Sequence, residues 1–255
     1  MKINTTDRDR LKLLLLQLRS DKQTMTEELE SFARFAELKL SQIDVLNVFR
    51  IPEFPASIIN KYDGMFIGGS SSVTVLNPEK YTFINNCVSL IRYCLEIDIP
   101  VFASCFGHQL TAIALGGKVY RHHGKDFEKG TIPITLTQEA ENDILYRDVP
   151  NHFLGVSVHK EYTKEIPSGC TLLAYTNTCH HTYKVKNKRF WTFQFHPEVN
   201  KEILIKRLSL YKQQYTGNDE ELLKIFASAK ETPVANKLLK KFIDRVVIKS
   251  KITTD

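Results

Sequence analysis

Three residues in this chain combine type, spacing and setting suited to nucleophilic chemistry: Cys105, His196 and Glu198. Cys105 follows the apolar run Ile99-Pro-Val-Phe-Ala-Ser104. It precedes a segment in which Leu110, Ile113 and Ala114 supply one helical face and Gly116-Gly117 marks the end. The cysteine therefore sits at a strand-to-helix turn. A helix N-terminus offers unpaired N–H groups and a positive dipole end, both of which favour a thiolate and can hold a developing oxyanion. Gly107 removes a side chain where the turn is tight and a substrate must approach, as at a nucleophile elbow. Gln109, four residues after Cys105, projects from the same helical face and can hydrogen-bond a polar substrate.

A cysteine nucleophile requires a base. Among the eight histidines, His196 ends the run Trp191-Thr-Phe-Gln-Phe-His. There Trp191, Phe193 and Phe195 alternate toward one face, while Thr192, Gln194 and His196 point to the other. If the extended geometry persists through Pro197, Glu198 lies on the same side and accepts a hydrogen bond from the ring nitrogen turned away from Cys105. Taken alone, His-Pro-Glu reads as a polar turn after a buried strand, and a lone cysteine reads as a small buried hydrophobe. The latter reading is assigned to Cys87, Cys94, Cys170 and Cys179.

The other histidines are weaker candidates. His122-His123 and Cys179-His180-His181 invite a metal reading, but adjacent strand residues face opposite ways and no matching ligand pair lies at a characteristic spacing. The histidines among them are read as surface or loop residues, and no metal or cofactor is expected. His108 is placed at the site entrance. His159 ends the apolar run Phe153–Val158 and is expected to face the substrate.

The elements that must hold these residues alternate between strand-length apolar runs and helical periods, the pattern of an α/β domain with a largely parallel sheet. Strands are expected at Leu11–Leu18, Val45–Phe49, Met65–Ile67 and Pro100–Ser104. Helices are expected at Met25–Leu38, with Leu29, Phe32, Ala33, Ala36 and Leu40 on its apolar stripe, and at Phe83–Ile97. The third strand runs into the glycine-rich loop Gly68-Gly69-Ser70-Ser71-Ser72. Thr131–Thr137, Phe153–Val158, Thr171–Tyr175 and a hairpin of Tyr183–Val185 with Phe190–Phe195 then extend the sheet in antiparallel fashion. The chain returns to helix after Pro197 and ends with Pro233–Val247. The resulting expectation is an open, mostly parallel mixed sheet flanked by helices. A catalytic domain over residues 1–200 carries a helical extension, 201–255, packed on it.

Composition narrows the function classes. The formal charge of +6 is concentrated at the C-terminus, where residues 201–255 hold twelve Lys+Arg against seven Asp+Glu. A solvated helical face accounts for that excess, and no aromatic-interleaved basic motif points to nucleic acid. No run is long and apolar enough to span a membrane. Five scattered cysteines without a CxxC pair argue against a disulfide framework and suit a reducing cytoplasm.

Cys105-Phe-Gly-His-Gln109 resembles the nucleophile motif of the class I glutamine amidotransferases, and Phe193-Gln-Phe-His-Pro-Glu198 resembles their histidine–glutamate motif. The resemblance is strongest to stand-alone members similar to the amidotransferase domain of GMP synthase. It implies that Cys105 attacks the γ-carboxamide of glutamine while N–H groups of Gly69 and Phe106 hold the tetrahedral oxygen. It further implies that His196 protonates departing ammonia and then activates water against a γ-glutamyl thioester, oriented by Glu198. Gln109 and His159 would contact substrate. Residues 158–161 resemble a loop that closes over glutamine, although those after His159 depart from the commoner pattern. No ammonia-accepting synthetase domain is recognisable. Either ammonia passes to a separate synthetase, or the chain hydrolyses a γ-glutamyl amide or peptide for its own sake. A regulatory protein on the same scaffold is the alternative from outside enzymology.

Overall fold

A computed structural model describes residues 5–122, 127–216 and 218–248. In chain order the elements are α1 (Thr5–Asp9), β1 (Leu13–Gln17), α2 (Lys22–Ala36), β2 (Ile43–Asn47), β3 (Gly64–Ile67), α3 (Phe83–Glu96), β4 (Val101–Ser104) and α4 (Phe106–Ala114). There follow β5 (Tyr120–Arg121), β6 (Lys129–Leu136), β7 (His152–Val158), β8 (Glu161–Tyr162), β9 (Cys170–Tyr175), β10 (His180–Val185) and β11 (Phe190–Phe193). The C-terminal helices are α5 (Lys201–Leu210), α6 (Lys212–Tyr215), α7 (Asp219–Ser228) and α8 (Pro233–Phe242). The last continues through a π-helical turn at Ile243–Val247.

Nine strands form one sheet in the order β2-β1-β3-β4-β11-β10-β9-β6-β7. The strands from β2 to β11 pair in parallel and those beyond β11 in antiparallel fashion. The inner parallel strands β1, β3, β4 and β11 are buried at every position, covered on both faces, whereas the edge strand β2 exposes Asp44 and Val45. In β1, Leu13 and Leu15 enter the core beneath α2 and α8, while Leu14 and Leu16 enter the core beneath α3 and α4. The hairpin between β10 and β11 turns at Asn187, whose φ of 57° is one that asparagine tolerates better than most residues.

Helix α2 starts where Asp21 Oδ1 accepts a hydrogen bond from the Thr24 amide at 2.8 Å. It stops at Glu37, which takes a left-handed conformation with φ 54°. The early stop removes Leu40 from the apolar stripe; it begins the next turn and is 51% exposed, against expectation. Phe32, Ala33 and Ala36 are buried as expected.

Beneath the parallel strands lies an aromatic stack. Phe102 and Phe193, side by side on β4 and β11, have ring centroids 4.0 Å apart, and Phe242 of α8 closes over Phe102 at 5.5 Å and Phe66 at 6.2 Å. Phe242→Ala should therefore lower the stability of the fold by about 3–5 kcal/mol, the cost of a cavity in a packed core. Urea unfolding measures it; a loss below about 1 kcal/mol would mean that α8 contributes little to this core.

Candidate active site

Strands β4 and β11 are parallel neighbours with Ser104 opposite Phe193. The pairing runs one residue further, because the Cys105 amide donates to the Phe193 carbonyl at 2.6 Å. Immediately afterwards the two chains diverge. Cys105 adopts φ 50° and ψ −99°, a conformation rarely held by residues other than glycine, and heads α4. Such backbone strain costs about 1–3 kcal/mol and persists only where surrounding structure enforces it. Gly107 has a different rationale from the one expected. A Cβ there would lie 2.8 Å from Ile67 Cγ2, so the glycine lets α4 pack onto the end of β3 rather than making room for substrate.

His196 is pinned by its amide, which donates to Val156 O at 2.8 Å. Its ring contacts Cys105 on one side. On the other, Nδ1 lies 2.6 Å from Glu198 Oε1. Ser104 Oγ donates to the second carboxylate oxygen of Glu198 at 2.8 Å, and the Arg207 guanidinium of α5 stands 3.7 Å from the first. Gln194 Nε2 lies 3.9 Å from the Cys105 sulfur. All three expected residues are buried, with Cys105 5%, His196 6% and Glu198 0% exposed.

Burial alone would push the His196 pKa down, but the facing Cys105 and then Glu198 overcome it and raise the value to about 9. Burial likewise acts to raise Glu198, and the His196 charge, with smaller help from Arg207 and Ser104, brings it down to about 2. The arrangement holds an imidazolium between a sulfur and a carboxylate. By contrast, burial raises Cys87 and Cys94 to about 12 and Cys170 to about 11, as fits inert thiols.

A cleft of about 170 Å³ opens beside Cys105, bordered by Ser70–Thr74, Phe106, Gln109, Arg121 and residues 158–161. Gln109 is on its wall, and its side-chain amide donates to Glu161 O at 2.8 Å. His159 also borders the cleft, but its imidazole turns away to Glu128, with Nε2 2.9 Å from Oε2. Gly69 stands against the site: a Cβ would come 3.0 Å from His196 Cε1 and 2.9 Å from the Arg19 guanidinium. Its amide donates to Glu28 Oε1 at 3.2 Å, and Glu28 is itself paired with Arg19 in a buried bridge of 2.9 Å. Phe106, the other expected oxyanion donor, is the first residue of α4.

Two expectations are corrected. His108 is not at an entrance but wholly buried, bridging Thr192 at 2.9 Å and Thr163 at 2.7 Å. Burial and the neighbouring imidazoles hold its pKa well below the ordinary histidine value. His181 is not a surface residue either: it is 0% exposed and faces Glu128 and His159, beside Cys179, which is buried as expected. His122 is half-buried, and His123 lies outside the described residues. Sequence reasoning missed Arg207, Ser104, Arg19, Glu28 and Glu128; as single charged or polar residues without a motif, they gave no signal.

The fold and this edge of the sheet define an α/β protein built around a cysteine at a strand-to-helix turn, with histidine and carboxylate delivered from the adjoining strand. The chain belongs to the class I glutamine amidotransferase family, which it matches over residues 31–205. It is 34% identical over 115 residues to the glutamine-hydrolysing GMP synthase subunit of Methanocaldococcus jannaschii, covering 45% of this chain and 57% of that protein. It is 32% identical over 155 residues to γ-glutamyl peptidase 4 of Arabidopsis thaliana, covering 60% of each. The match thus spans about three fifths of the length of these curated relatives. A glutamine amidotransferase from Thermotoga maritima has the same fold, with TM-score 0.75 and 21% identity, over 93% of this chain and 98% of that one.

Because its folded pKa lies above 6.5, His196 contributes stability in full below pH 6.5 and loses it as pH rises through about 9. Glu198 contributes above pH 4.5 and loses its part as pH falls through about 2. In Cys105→Ala the midpoint of His196, followed by NMR, should fall below the wild-type value, and the alkaline loss of stability should be smaller and complete at lower pH. An unchanged midpoint would show that Cys105 and His196 do not interact.

Proposed function

We propose that the chain is a cysteine-dependent hydrolase of the γ-carboxamide of glutamine, passing ammonia to a separate synthetase. The observation that carries this reading is His196 held between Cys105 and Glu198 with a 2.6 Å bond to the carboxylate. In this mechanism the Cys105 thiolate attacks the γ-carbonyl carbon, and the tetrahedral oxyanion is received by the Phe106 amide and by Gly69 once that amide turns from Glu28. His196 gives its proton to the amine nitrogen, ammonia leaves, and a γ-glutamyl thioester remains. Water then loses a proton to His196 and attacks the thioester, releasing glutamate and restoring the thiolate. Glu198 fixes the imidazole orientation throughout.

The cleft supports a zwitterionic amino-acid head. It carries one carboxylate, Glu161, and one guanidinium, Arg121, which suit an α-ammonium and an α-carboxylate respectively. Gln109 steadies the wall by holding the Glu161 backbone, while His159 follows the strand that leads into it. The partner is the separate synthetase that the likeness to the archaeal GMP synthase subunit suggests. The commitment of the Gly69 amide to Glu28 fits an enzyme that turns over slowly until that partner arrives. No described helix is long and apolar enough to cross a membrane, and the free thiols suit a reducing cytoplasm.

A γ-glutamyl peptidase is the second reading, favoured by the likeness to the Arabidopsis peptidase over 60% of the chain. It would use the same thioester with a larger leaving amine. Incubation with glutamine and with γ-glutamyl dipeptides, following glutamate release, separates the two: faster release from dipeptides without any partner would select the peptidase. A diazo-ketone glutamine analogue should label Cys105 in either case, and an active preparation labelled only at other cysteines would defeat both. Cys105→Ser should lose nearly all turnover, and Glu198→Gln about 10²–10⁴-fold.

A further inference from the structure

Four chemically reactive side chains that the proposed mechanism does not use converge behind the cleft wall. Glu128 precedes β6, His159 follows β7, and Cys179 and His181 lie at the start of β10, two residues apart and therefore on one face. Their donor atoms all lie within 4.8 Å of one another. Nε2 of His159 and Nε2 of His181 are each 2.9 Å from Glu128 Oε2. The Cys179 sulfur is 3.5 Å from the second of these nitrogens and 3.9 Å from the first. The side chains of His159 and His181 are 1% and 0% exposed.

Hydrogen bonding explains only part of this. Glu128 is well served, taking both ring N–H groups and the Thr176 hydroxyl at 2.6 Å. With both Nε2 protons committed to Glu128, however, the sulfur is left with only the Thr176 hydroxyl, which Glu128 also takes. Nδ1 of each ring is buried without a hydrogen-bond partner among the described residues. Both rings thus leave one nitrogen unpartnered in order to aim the other at a shared point, which a thiol and a carboxylate also face.

We propose that Glu128, His159, Cys179 and His181 form a binding site for a divalent transition-metal cation, with zinc the best match. Bonds of about 2.0–2.3 Å in a tetrahedral arrangement place donor atoms about 3.3–3.6 Å apart, so on binding the 2.9 Å histidine–carboxylate separations would open and the 3.9 Å sulfur separation would close, each by less than about half an ångström. Thiolate and imidazole donors select zinc over magnesium or calcium. One thiolate and one carboxylate neutralise a dication in a buried place where net charge is costly. On binding, the Cys179 thiol releases its proton to solvent and the ring protons reside on Nδ1. The cation would tie three segments together and so brace residues 158–161, the wall of the substrate cleft, without touching Cys105.

The test uses the whole protein, loaded with zinc, dialysed against metal-free buffer and analysed for metal content. One zinc per chain is expected in wild type and in Cys105→Ala, with retention weakened by roughly a hundredfold or more in Cys179→Ser and in His181→Ala. Should those variants fold poorly, cobalt(II) reports on intact protein. A thiolate-to-cobalt charge-transfer band in the near ultraviolet should appear equally in wild type and in Cys105→Ala, which excludes the site cysteine as the ligand. Absence of that band from Cys105→Ala, or no zinc retained by wild type, would overturn the proposal. Because the readout is metal content and colour rather than turnover, it stands or falls separately from the hydrolase reading.

Discussion

The parallel pairing of β4 with β11 is the constraint on which the rest of the site depends. Ser104 opposite Phe193, extended by the 2.6 Å bond from the Cys105 amide to Phe193 O, brings both chains to the same edge of the sheet at the same level. One then turns into α4 and presents a sulfur; the other continues a short way and presents an imidazole. A slip of one residue in this register would exchange the faces of Phe193 and Gln194, putting an amide into the aromatic core and His196 on the wrong side. The stacked Phe102 and Phe193 rings make such a slip costly, so packing remote from the cleft fixes the geometry of the chemistry.

A second requirement is electrostatic. Ionised groups buried this deeply are tolerated only when paired. His196, Glu198, Arg207 and Glu27 form a chain in which basic and acidic groups alternate, ending where Arg207 Nε meets Glu27 Oε2 at 2.7 Å. Arg207 belongs to α5 and Glu27 to α2, so two helices outside the motif-bearing strands determine how firmly Glu198 stays ionised. The neighbouring Arg19–Glu28 bridge acts on the glycine loop instead. While Glu28 holds the Gly69 amide, that N–H is not free for the oxyanion role proposed for it, and freeing it requires the loop or α2 to move.

Most of the fold is legible in the sequence because its inner parallel strands are buried on both faces and its helices carry a clear period. The strands expected at Leu11–Leu18, Pro100–Ser104 and Thr171–Tyr175 form at those places, with ends shifted by a residue or two. Leu40 departs from expectation because apolar spacing says nothing about where a helix stops. The stop is made by the left-handed Glu37, a residue with no glycine-like signature. Gly107 shows the opposite error: the glycine is conspicuous, but its contact is with Ile67 on another strand, which local sequence cannot reveal.

Legibility of the site follows the same division between local and assembled chemistry. Cys105, His196 and Glu198 each occur within a short motif at a strand end, where period two and helix polarity already state which way a side chain points. Glu128, His159, Cys179 and His181 lie on three separate segments, and the only local regularity among them is the two-residue step from Cys179 to His181. That adjacent residues of Cys179-His180-His181 face opposite ways is sound for His180, which is only half-buried, yet the same alternation puts the first and third positions on one side. Ligand spacing rules describe sites supplied by one element. A cluster drawn from the ends of three strands becomes visible only when the sheet order β10-β9-β6-β7 is known, because that order alone brings His159 and His181 within bonding distance of the Glu128 carboxylate.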